Sequence, residues 1–515
     1  MTPLDAARHA TRRALLNAYL RETGVHAAPG GEWRITLPRT RRLLTVEVRH
    51  RCASGQHDYA EATRPGHEEF VAALLAELAA LTGHDDAGEL AARIGNSTAR
   101  AARYLARGRP PPPCGDPHAL TRHAEQTLLL GHPFHPTPKS AEGFDDADLR
   151  RYAPELGAEF VPYYLGLARE LVLDVRVAEG AWVPEEVEAR VPPGYAALPA
   201  HPWQARYLLA RPDVAGLVER GALLPLGPLG RPVYPTSSVR TVCDPAFPAS
   251  WKLPLHVRIT NFVRNNPIEQ LRRATDATVL VRQLPAHTGF GVLRETGFRA
   301  PDPAVVGEDL AAELAVLYRE NPFTGDPRAP RVLASLLEDP AGLVECVREA
   351  GDVAEWLRRY LAISLRPLLS LFFTEGIAFE AHVQNSLLCT EGGWPSRFWV
   401  RDLEGAAVSA RRLTRDVIPA GSPLRYDDAE AWLRLRYHAV TNQLGHVVHV
   451  LGRYTGTGEH RLWAVAREAL AEVPEAAALL DDPVLPAKAN LISRFTGRGE
   501  RPSYVDVPNP LSERS

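Results

Sequence analysis

A run of prolines divides this chain near residue 110 and limits what can fold across it. Residues 108–117 read Gly-Arg-Pro-Pro-Pro-Pro-Cys-Gly-Asp-Pro. The five prolines lack the backbone N–H that a helix needs, so no helix continues through this segment. A chain of 515 residues is also too long for one hydrophobic core. We therefore expect an α+β protein with three regions, 1–117, 118–325 and 326–515.

Local patterns predict helices around a small sheet in the first region. Residues 2–23 form an amphipathic helical pattern, and 34–37 with 44–48 alternate as a hairpin. Apolar residues at helical spacing over 70–81 predict a second helix, which Gly83 can cap.

Many short strands are predicted in the middle region, and mainly helices in the last. From Leu253 to Ile259, apolar residues alternate with His256, Arg258 and Thr260, which is typical of a strand with one polar face. The other predicted elements are helices at 308–320, 356–373 (broken near Pro367) and 430–454, and strands at 377–388 and 397–403 joined across Gly392-Gly393.

The amino-acid composition limits the kinds of binding partner that this protein is expected to have. The formal net charge is −3, so no overall charge attracts nucleic acid or an anionic membrane. No apolar run reaches the roughly 18 residues of a membrane span. The five cysteines are scattered without a CxxC pair, and residues 2–23 lack the features of a signal peptide. We expect a cytoplasmic protein that binds neither nucleic acid nor membrane.

The predicted hairpin in the last region carries a candidate metal site. Period-two alternation over 377–385 puts Glu380, His382 and Gln384 on one face. Asp402 ends the partner strand, so its carboxylate is expected beside Glu380. Oxygen ligands of this kind suit Mg²⁺ on nucleotide phosphates. A solvated sheet face with ordinary cross-strand pairs fits the same pattern, but the apolar helices on both sides favour the functional interpretation.

A hydroxyl-rich turn in the middle region is a candidate phosphate site. Residues 235–241 read Pro-Thr-Ser-Ser-Val-Arg-Thr. Hydroxyls, backbone N–H groups and arginine are common phosphate partners. A capped surface turn would also explain these residues, but Lys252 and Arg264 follow on the adjoining strand and loop and favour phosphate binding. There is no Walker A sequence, so this is not a P-loop.

A proline-rich loop carries a third polar cluster. His132 and His135 each precede a proline, and Lys139 follows. No cysteine or third histidine is near in sequence, which argues against zinc. The imidazoles are expected to contact substrate or nucleotide, with Lys139 as a phosphate or carboxylate partner. A purely structural loop is the alternative.

These motifs together resemble the aerobactin-synthetase-type enzymes, the NRPS-independent siderophore synthetases. They occur in that family's order, from about residue 130 to the C-terminus. The motifs are HPxHPxxK at 132–139, His-Pro-Trp-Gln at 201–204, SSxRT at 237–241, the stretch 252–266, ExHxxN at 380–385 and Val-Pro-Asn-Pro-Leu at 507–511.

The resemblance implies a fold, a chemistry and a set of site residues. The fold is a cupped hand, with an N-terminal thumb, β-rich fingers and a helical palm around a central site. The enzymes use ATP to convert a carboxylic acid, most often citrate, into an acyl-adenylate that an amine or alcohol attacks. The residues implied for ATP and Mg²⁺ are Ser238, Arg240, Thr241, Lys252, Arg264, Glu380, His382, Asn385 and Asp402, with Glu380 and Asp402 on the metal. Those implied for the acyl substrate are His132, His135, Lys139, Thr260, Arg264, His382 and Lys488.

Roles within this set can be assigned by chemistry. Lys252 and Arg264 would stabilise charge on the α-phosphate, and His382 would take the amine's proton. Members of the family often have an arginine where this chain has Ala141, so its carboxylate pocket is expected to differ. The family habit and the apolar helices of the last region also suggest a homodimer.

Two other functions fit parts of the sequence. Glu380, Asn385 and Asp402 faintly match the metal-binding spacing of a small-molecule kinase, although no Gly-rich loop precedes them. A binding protein for a carboxylate or siderophore would keep the cations without needing metal carboxylates. The sequence does not specify which acid, amine or alcohol is used.

Overall fold

The computed structural model describes residues 1–25, 30–84, 86–498 and 501–512. In the first region, Thr2 caps the first helix by accepting the N–H of Asp5 at 3.1 Å, and Gly83 caps the second in a left-handed conformation. Both predicted helices and the hairpin are confirmed. The elements are helices α1 (Pro3–Thr23), α2 (His67–Thr82) and α3 (Ala87–Arg107), and strands β1 (Glu32–Thr36), β2 (Leu43–His50) and β3 (Asp58–Arg64).

The middle region contains the strands that position most of the site. Its helices are α4 (Pro117–Gln126), α5 (Asp146–Tyr152), α6 (Glu185–Glu188), α7 (Pro202–Leu209), α8 (Pro212–Glu219), α9 (Ile268–Val281), α10 (Pro303–Val306) and α11 (Glu308–Leu314). Its strands are β4 (Ala141–Glu142), β5 (Tyr163–Ala168), β6 (Val172–Arg176), β7 (Tyr195–Ala200), β8 (Leu223–Pro228), β9 (Tyr234–Pro235), β10 (Thr241–Cys243), β11 (Ala249–Lys252), β12 (Leu255–Ile259), β13 (Phe262–Arg264), β14 (Phe290–Val292), β15 (Glu295–Pro301) and β16 (Val316–Glu320).

The largest sheet of the described residues is antiparallel, in the order β6-β15-β16-β11-β10-β9. Beside it, β12 pairs with β13 and β4, while β5 pairs with β7 and β8. The predicted strand at 253–259 is confirmed from Leu255 onward, where Leu255 and Val257 are buried.

The last region is mainly helical around a β-hairpin. Its helices are α12 (Leu333–Glu338), α13 (Ala341–Ala350), α14 (Val353–Ile363), α15 (Leu365–Glu375), α16 (Asp428–Leu435), α17 (Gly445–Tyr454), α18 (Glu459–Ala471), α19 (Ala477–Asp481) and α20 (Asn490–Phe495), with a π-helical segment, Arg436–Leu444, joining α16 to α17. Its strands are β17 (Arg331–Val332), β18 (Ile377–Ala378), β19 (Ser386–Glu391), β20 (Trp394–Val400), β21 (Ala407–Ser409), β22 (Arg425–Tyr426), β23 (Val484–Lys488) and β24 (Tyr504–Pro508).

Three predicted elements need correction. The strand expected over 377–385 is wrong: β18 stops at Ala378, and the chain turns until β19 begins at Ser386. The helix expected over 308–320 ends at Leu314 and is followed by β16, where Val316 and Tyr318 favour a strand. The helix break expected near Pro367 falls at Ser364 instead. Pro367 lies in the first turn of α15, where its missing N–H has no helical partner to lose.

Hydrophobic packing joins distant parts of the chain. The core of the first region includes Leu491 and Phe495 from α20 as well as Leu15 and Phe70. The largest core fills the last region, around Trp356, Phe372 and Phe398. The boundaries at 117 and 325 stay predictions, although a helix does end at Arg107 and another begins at Pro117, as the proline run predicts.

The cysteines are free. Within the described residues, none of the helices combines the length and apolar character needed to cross a membrane.

Candidate active site

One face of the large sheet carries an ion-pair network. Arg319 of β16 lies directly opposite Glu295 of β15 and Ser250 of β11, and Lys252 is two residues further along β11. Period two therefore puts Lys252, Arg319 and Glu295 on the same face. Arg319 Nη2 is 2.9 Å from Glu295 Oε1, and both side chains are almost completely buried.

Two carboxylates of the turn after β20 complete this network. Asp402 Oδ1 is 2.7 Å from Lys252 Nζ and also accepts from Arg319 Nη2. Glu404 Oε1 lies 2.8 Å from Lys252 Nζ. Burial disfavours the charged form of Asp402, but Arg319 and Lys252 outweigh it and hold the pKa of Asp402 well below its usual value. We call these five residues, Lys252, Glu295, Arg319, Asp402 and Glu404, the charge network.

Glycine at position 405 allows Glu380 to approach the same turn. A Cβ atom on Gly405 would lie 1.8 Å from Glu380 Oε2, so any other residue would displace that carboxylate. Glu380, in an irregular segment and not on a strand, therefore lies close to the turn that carries Asp402, and the expected pairing of the two carboxylates on a metal stays a prediction.

The hydroxyl-rich turn at 235–241 is held next to the charge network by a hydrogen bond and an ion pair. Ser237 N donates to Glu125 Oε2 at 3.0 Å, and Glu125 forms a buried ion pair with Arg401, the residue before Asp402. Ser238 Oγ closes the turn by accepting from Thr241 N at 3.1 Å. Thr241 is buried directly opposite Lys252 in the sheet.

Of the two arginines predicted to bind phosphate, Arg240 is buried and Arg264 is half-buried, and both are held by oxygen acceptors. Arg240 Nη1 donates to the carbonyls of Arg264 and Asn265 at 3.2 and 3.1 Å, and its Nη2 lies 3.9 Å from Glu404. Arg264 Nη2 donates to Ile259 O and Thr260 Oγ1, both at 2.9 Å.

Burial also changes the acidity of Arg264. Burial and the neighbouring Arg240 lower the pKa of Arg264 to about 10, so it stays charged at neutral pH. Within the described residues, the hydrogen bonds of Arg264 go to the neutral oxygens of Ile259 and Thr260.

The turn at 379–385 fixes the protonation of His382. Its Nδ1 accepts the backbone N–H of Gln384 at 3.2 Å and of Asn385 at 3.3 Å. The neutral imidazole therefore carries its proton on Nε2. Burial lowers the pKa of His382, so this neutral tautomer prevails at pH 7. Asn385 Nδ2 donates a hydrogen bond to Glu380 O at 3.2 Å, which stabilises the turn.

Beyond this turn, Glu380 meets groups from the end of the chain. His438 Nε2 is 3.4 Å from Glu380 Oε1, and Lys488 Nζ, at the end of β23, is 4.0 Å from it. Lys488 also lies over the ring of Tyr437, 5.0 Å from its centroid. Lys488 thus lies beside Glu380 although the two are far apart in sequence, and its expected contact with the acyl substrate stays a prediction.

The two histidines of the proline-rich loop lie in different surroundings. His132 Nε2 is 2.8 Å from Asn442 Nδ2, and Asn442 Oδ1 accepts from Val383 N at 3.2 Å, which ties His132 to the turn carrying His382. His135 is completely buried near Arg264, and burial lowers its pKa to about 4.

Lys139 lies apart from these groups. Its Nζ is 2.7 Å from Glu155 Oε1, and the two charges form a buried ion pair. The expected contact of Lys139 with a phosphate or carboxylate ligand stays a prediction, because its ammonium already has this partner.

Strained backbone concentrates at this site. Among the described non-glycine residues, positive φ angles occur at Arg41, Val239, Thr260 and Asp402. Three of these are in the turn at 235–241, beside Arg264 and in the charge network. A β-branched residue rarely adopts a positive φ, and such outliers gather where a site imposes a conformation.

Sequence analysis missed several residues of the site. Arg319 was hidden inside a predicted helix, and Glu404 could have been found from its position two residues after Asp402. Glu125, Glu295, Arg401, His438 and Asn442 have no local sequence signal, because their partners are far away in the chain.

The residues fit a nucleotide with its metal ion. Lys252 and Arg319 both contact Oδ1 of Asp402, a carboxylate that is 20% exposed, and Glu404 and Glu380 are 24% and 26% exposed. Partly exposed carboxylate oxygens beside buried cations provide both the ligands Mg²⁺ prefers and partners for phosphate.

Comparisons with known proteins agree on one family. A family profile described as the IucA / IucC family matches residues 120–338, and one described as a ferric iron reductase FhuF-like transporter matches 354–503. The chain is 35% identical to the L-2,3-diaminopropanoate–citrate ligase of Staphylococcus aureus, covering 99% of this chain and 96% of that protein. It is 31% identical to the rhizobactin siderophore biosynthesis protein RhbC of Rhizobium meliloti, covering 98% and 97%.

Solved structures show the same fold at lower identity. ATP-bound aerobactin synthetase IucA from Klebsiella pneumoniae matches with a TM-score of 0.83 and 23% identity, over 98% of this chain and 99% of that chain. The petrobactin biosynthesis protein AsbB from Bacillus anthracis matches with a TM-score of 0.81 and 18% identity, over 99% and 96%. The whole-length relatives confirm the resemblance found in the motifs: this chain belongs to the IucA/IucC family of NRPS-independent siderophore synthetases.

Proposed function

We propose that this protein uses ATP to adenylate a carboxyl group of citrate or a citrate derivative and condenses it with an amine or alcohol. The products would be an amide or ester, AMP and pyrophosphate. A whole-length relative named as a citrate ligase supports the acid and the bond formed. The likeness to an ATP-bound synthetase supports the nucleotide.

The observation that carries the proposal is the charge network beside the hydroxyl-rich turn. Lys252 and Arg319 are buried cations anchored by Asp402, and the turn at 237–241 is tied to the same place through Glu125 and Arg401. Cations held this way need no rearrangement when negative charge develops on a phosphate, which is the basis of electrostatic catalysis. Bound Mg²⁺, held by Glu380, Asp402 and Glu404, would neutralise charge on the phosphates.

A carboxylate is a poor electrophile, so the reaction needs a better leaving group. Its oxygen attacks the α-phosphorus, the bond to pyrophosphate breaks, and a mixed anhydride with AMP forms. The nitrogen of the amine then attacks the acyl carbon and AMP leaves. Arg264 is suited to the acyl-phosphate junction, because its hydrogen bonds to Thr260 and Ile259 go to neutral oxygens and not to a carboxylate. We propose that His135, Thr260 and Lys488 contact the acyl group of the substrate.

The tautomer of His382 changes the role expected from sequence. Since Nδ1 accepts two backbone N–H groups, Nε2 carries the proton and can only donate. We therefore propose that His382 donates a hydrogen bond to the acyl group or a phosphate, and that the amine's proton leaves by another route.

The test measures products with citrate, ATP and Mg²⁺ present. We expect AMP and pyrophosphate in equal amounts, and a citryl hydroxamate when hydroxylamine replaces the amine. ADP as product would replace this mechanism with the kinase alternative. Tight citrate binding with no nucleotide turnover would instead favour a binding protein.

Two further properties belong to the same proposal. We infer a homodimer in the cytosol, in which thumb, fingers and palm surround the site as a cupped hand. Light scattering should give about twice the 56.5 kDa chain mass. A monomer mass at micromolar concentration would contradict the dimer.

A further inference from the structure

One half-buried arginine lies outside the charge network and forms no ion pair within the part of the chain that the structure describes. Arg21, in the last turn of α1, stacks on the ring of Phe134, with Cζ 3.4 Å from the ring centroid. Its Nε and Nη2 are both shielded from solvent and hydrogen-bond to nothing. In the part of the chain that the structure describes, it is the arginine that leaves both of these atoms unpaired.

This edge of the guanidinium is the one that holds carboxylates elsewhere in the protein. Arg299 uses Nε and Nη2 to bind the two oxygens of Asp174, both at 2.8 Å. Arg412 binds Asp428 in the same way, at 2.6 and 3.0 Å. Two parallel N–H donors match the spacing of carboxylate oxygens, so Arg21 presents an unused carboxylate site.

The carboxylate next in sequence does not fill it. Glu22 instead accepts the backbone N–H groups of Leu491 and Ile492 at 2.9 and 2.7 Å. A buried guanidinium without a counter-ion is unfavourable, and a bound anion would offset that cost.

Arg21 lines a small pocket between α1, the proline-rich loop and the π-helical segment. Its free volume of about 10 Å³ has room for little more than one water molecule, so a bound carboxylate must widen it. The polar groups around it are neutral donors and acceptors, and its described lining contains no Asp or Glu. The uncharged polar lining residues are Ser54, Gln56, His132, Tyr437, Thr441, Asn442 and His446. A carboxylate entering this cavity meets one cation and several hydrogen-bond partners, without a competing anion.

The cavity borders the reaction site through Asn442. This residue lies 2.8 Å from His132 Nε2 on the cavity side and accepts from Val383 N, next to His382, at 3.2 Å. Residues of the charge network, and Arg264, do not line it. A ligand in the cavity would therefore approach the acyl group from the side away from the nucleotide's cations.

We propose that Arg21 binds the carboxylate of the amine substrate, so that the amine joined to citrate is an amino acid and not a simple diamine. This rests on the proposed function for the reaction itself. Citrate is the other possible source of a carboxylate, and the experiment separates the two.

The experiment compares amines that differ only by a carboxylate. Suitable pairs are L-2,3-diaminopropanoate with ethylenediamine and L-lysine with cadaverine, each with citrate and ATP, with pyrophosphate release as the signal. The wild-type enzyme should prefer the amino acid of at least one pair. Arg21→Gln should lower kcat/KM for that amino acid by about 10- to 100-fold, the value of a charged hydrogen bond, and barely change it for the diamine.

Two controls make the result specific. Arg8→Gln, which removes an exposed ion pair with Glu68 on the same helix, should keep the wild-type preference. Arg21→Lys keeps the charge but not the fork, and should recover only part of the preference.

A second readout does not depend on activity. If Arg21 has no partner in the free protein, Arg21→Met should leave the melting temperature within about 3 °C of wild type, because Met can still pack on Phe134. A large drop would mean a structural role and would overturn the proposal.

The remaining outcomes are distinct. Equal losses for both members of a pair, or a raised KM for citrate in the hydroxylamine reaction, would overturn the assignment to the amine. If the wild-type enzyme forms no citrate-dependent pyrophosphate with hydroxylamine, the proposed function fails as well. If it does and the Arg21 variants keep the wild-type preference, only the present inference fails.

Discussion

Two cationic regions of this enzyme differ in what balances their charge. In the charge network, Lys252 and Arg319 are paired with carboxylates of the protein at hydrogen-bond distance. Around Arg21, the fold provides a ring to stack on and a small polar pocket whose described lining holds no carboxylate. The first arrangement holds cations in position before any ligand arrives, and the second leaves a cation with two unpaired N–H groups for a ligand. Substitutions should therefore affect folding and catalysis together in the first region, and substrate choice alone in the second.

The largest effect is expected from breaking the charge network. Asp402→Asn removes the partner shared by Lys252 and Arg319 and one of the proposed metal ligands. We expect kcat/KM to fall about 1,000-fold or more, since electrostatic and metal stabilisation are lost together. Stability should also fall, by about 3 kcal/mol, because two buried cations each lose one of their carboxylate partners.

Pyrophosphate release and urea unfolding check this pair of effects. Asp326→Asn, which removes a local ion pair with Arg328, is the matched control and should leave activity unchanged. An active, stable Asp402→Asn enzyme would show that the network is not the nucleotide site.

The next largest effect is expected at Arg264, a cation that belongs to neither of these two regions. Arg264 is half-buried and, among the described residues, donates to neutral oxygens, so its charge is available to the reaction. Arg264→Ala should cost about 2–4 kcal/mol of transition-state stabilisation, comparable to losing an oxyanion-hole donor. Arg264→Lys should recover part of this. Near-normal kcat/KM in a folded Arg264→Ala protein would rule the role out.

Lowering the pH should destabilise the folded state, and the buried histidines should contribute more to this loss of stability than the charge network. Burial lowers the pKa of His446 and His201 to about 3, and that of His132 well below its usual value. The unfolded chain takes up these protons near pH 6.5 and the folded one does not, so stability is lost as pH falls below that value. Glu22 and Glu295, whose pKa burial raises to about 7, act in the opposite sense but are fewer.

Melting temperatures measured between about pH 7.5 and about pH 5 test this sign. We expect a clear decrease towards acid. An equal or higher melting temperature at the acid end would mean that the buried carboxyl groups dominate.

The smallest effect should come from an ion pair at the surface. Arg103 and Asp146 form a close pair in which the side chains are 38% and 69% exposed. Arg103→Gln should change the free energy of unfolding by less than about 1 kcal/mol, because water already screens both charges. A larger loss, measured by urea unfolding, would contradict the view that burial and not pairing distinguishes the charge network.

The parts of the fold that were predicted correctly have local causes. The first helix, its hairpin neighbour and the cap at Gly83 follow from spacing and from residues within one turn. The segment 377–385 shows the limit. Its alternation satisfies the strand pattern, yet the imidazole of His382 accepts backbone N–H groups that a strand would have paired with a neighbour.

The candidate site was predictable only where both partners carry motifs. Lys252 and Asp402 were each singled out from sequence, and the structure places them 2.7 Å apart. Arg21 gives no signal, since it is one arginine among several on an amphipathic helix. Its importance arises from Phe134 and from a cavity whose walls come from residues 21–446. Such a property belongs to the packing of distant elements, so no local pattern can predict it.

The positive φ angles at Val239, Thr260 and Asp402 bear on how this enzyme could be stabilised. Each such conformation costs on the order of 1–3 kcal/mol, which the rest of the fold must supply. Glycine or asparagine at position 239 or 260 would relieve part of that strain, so a search for heat-resistant variants should find these positions early. The same changes would loosen the turn beside the phosphate site and the residue that holds Arg264. Selection for heat resistance alone would therefore tend to raise the stability of the protein and to lower its catalytic rate.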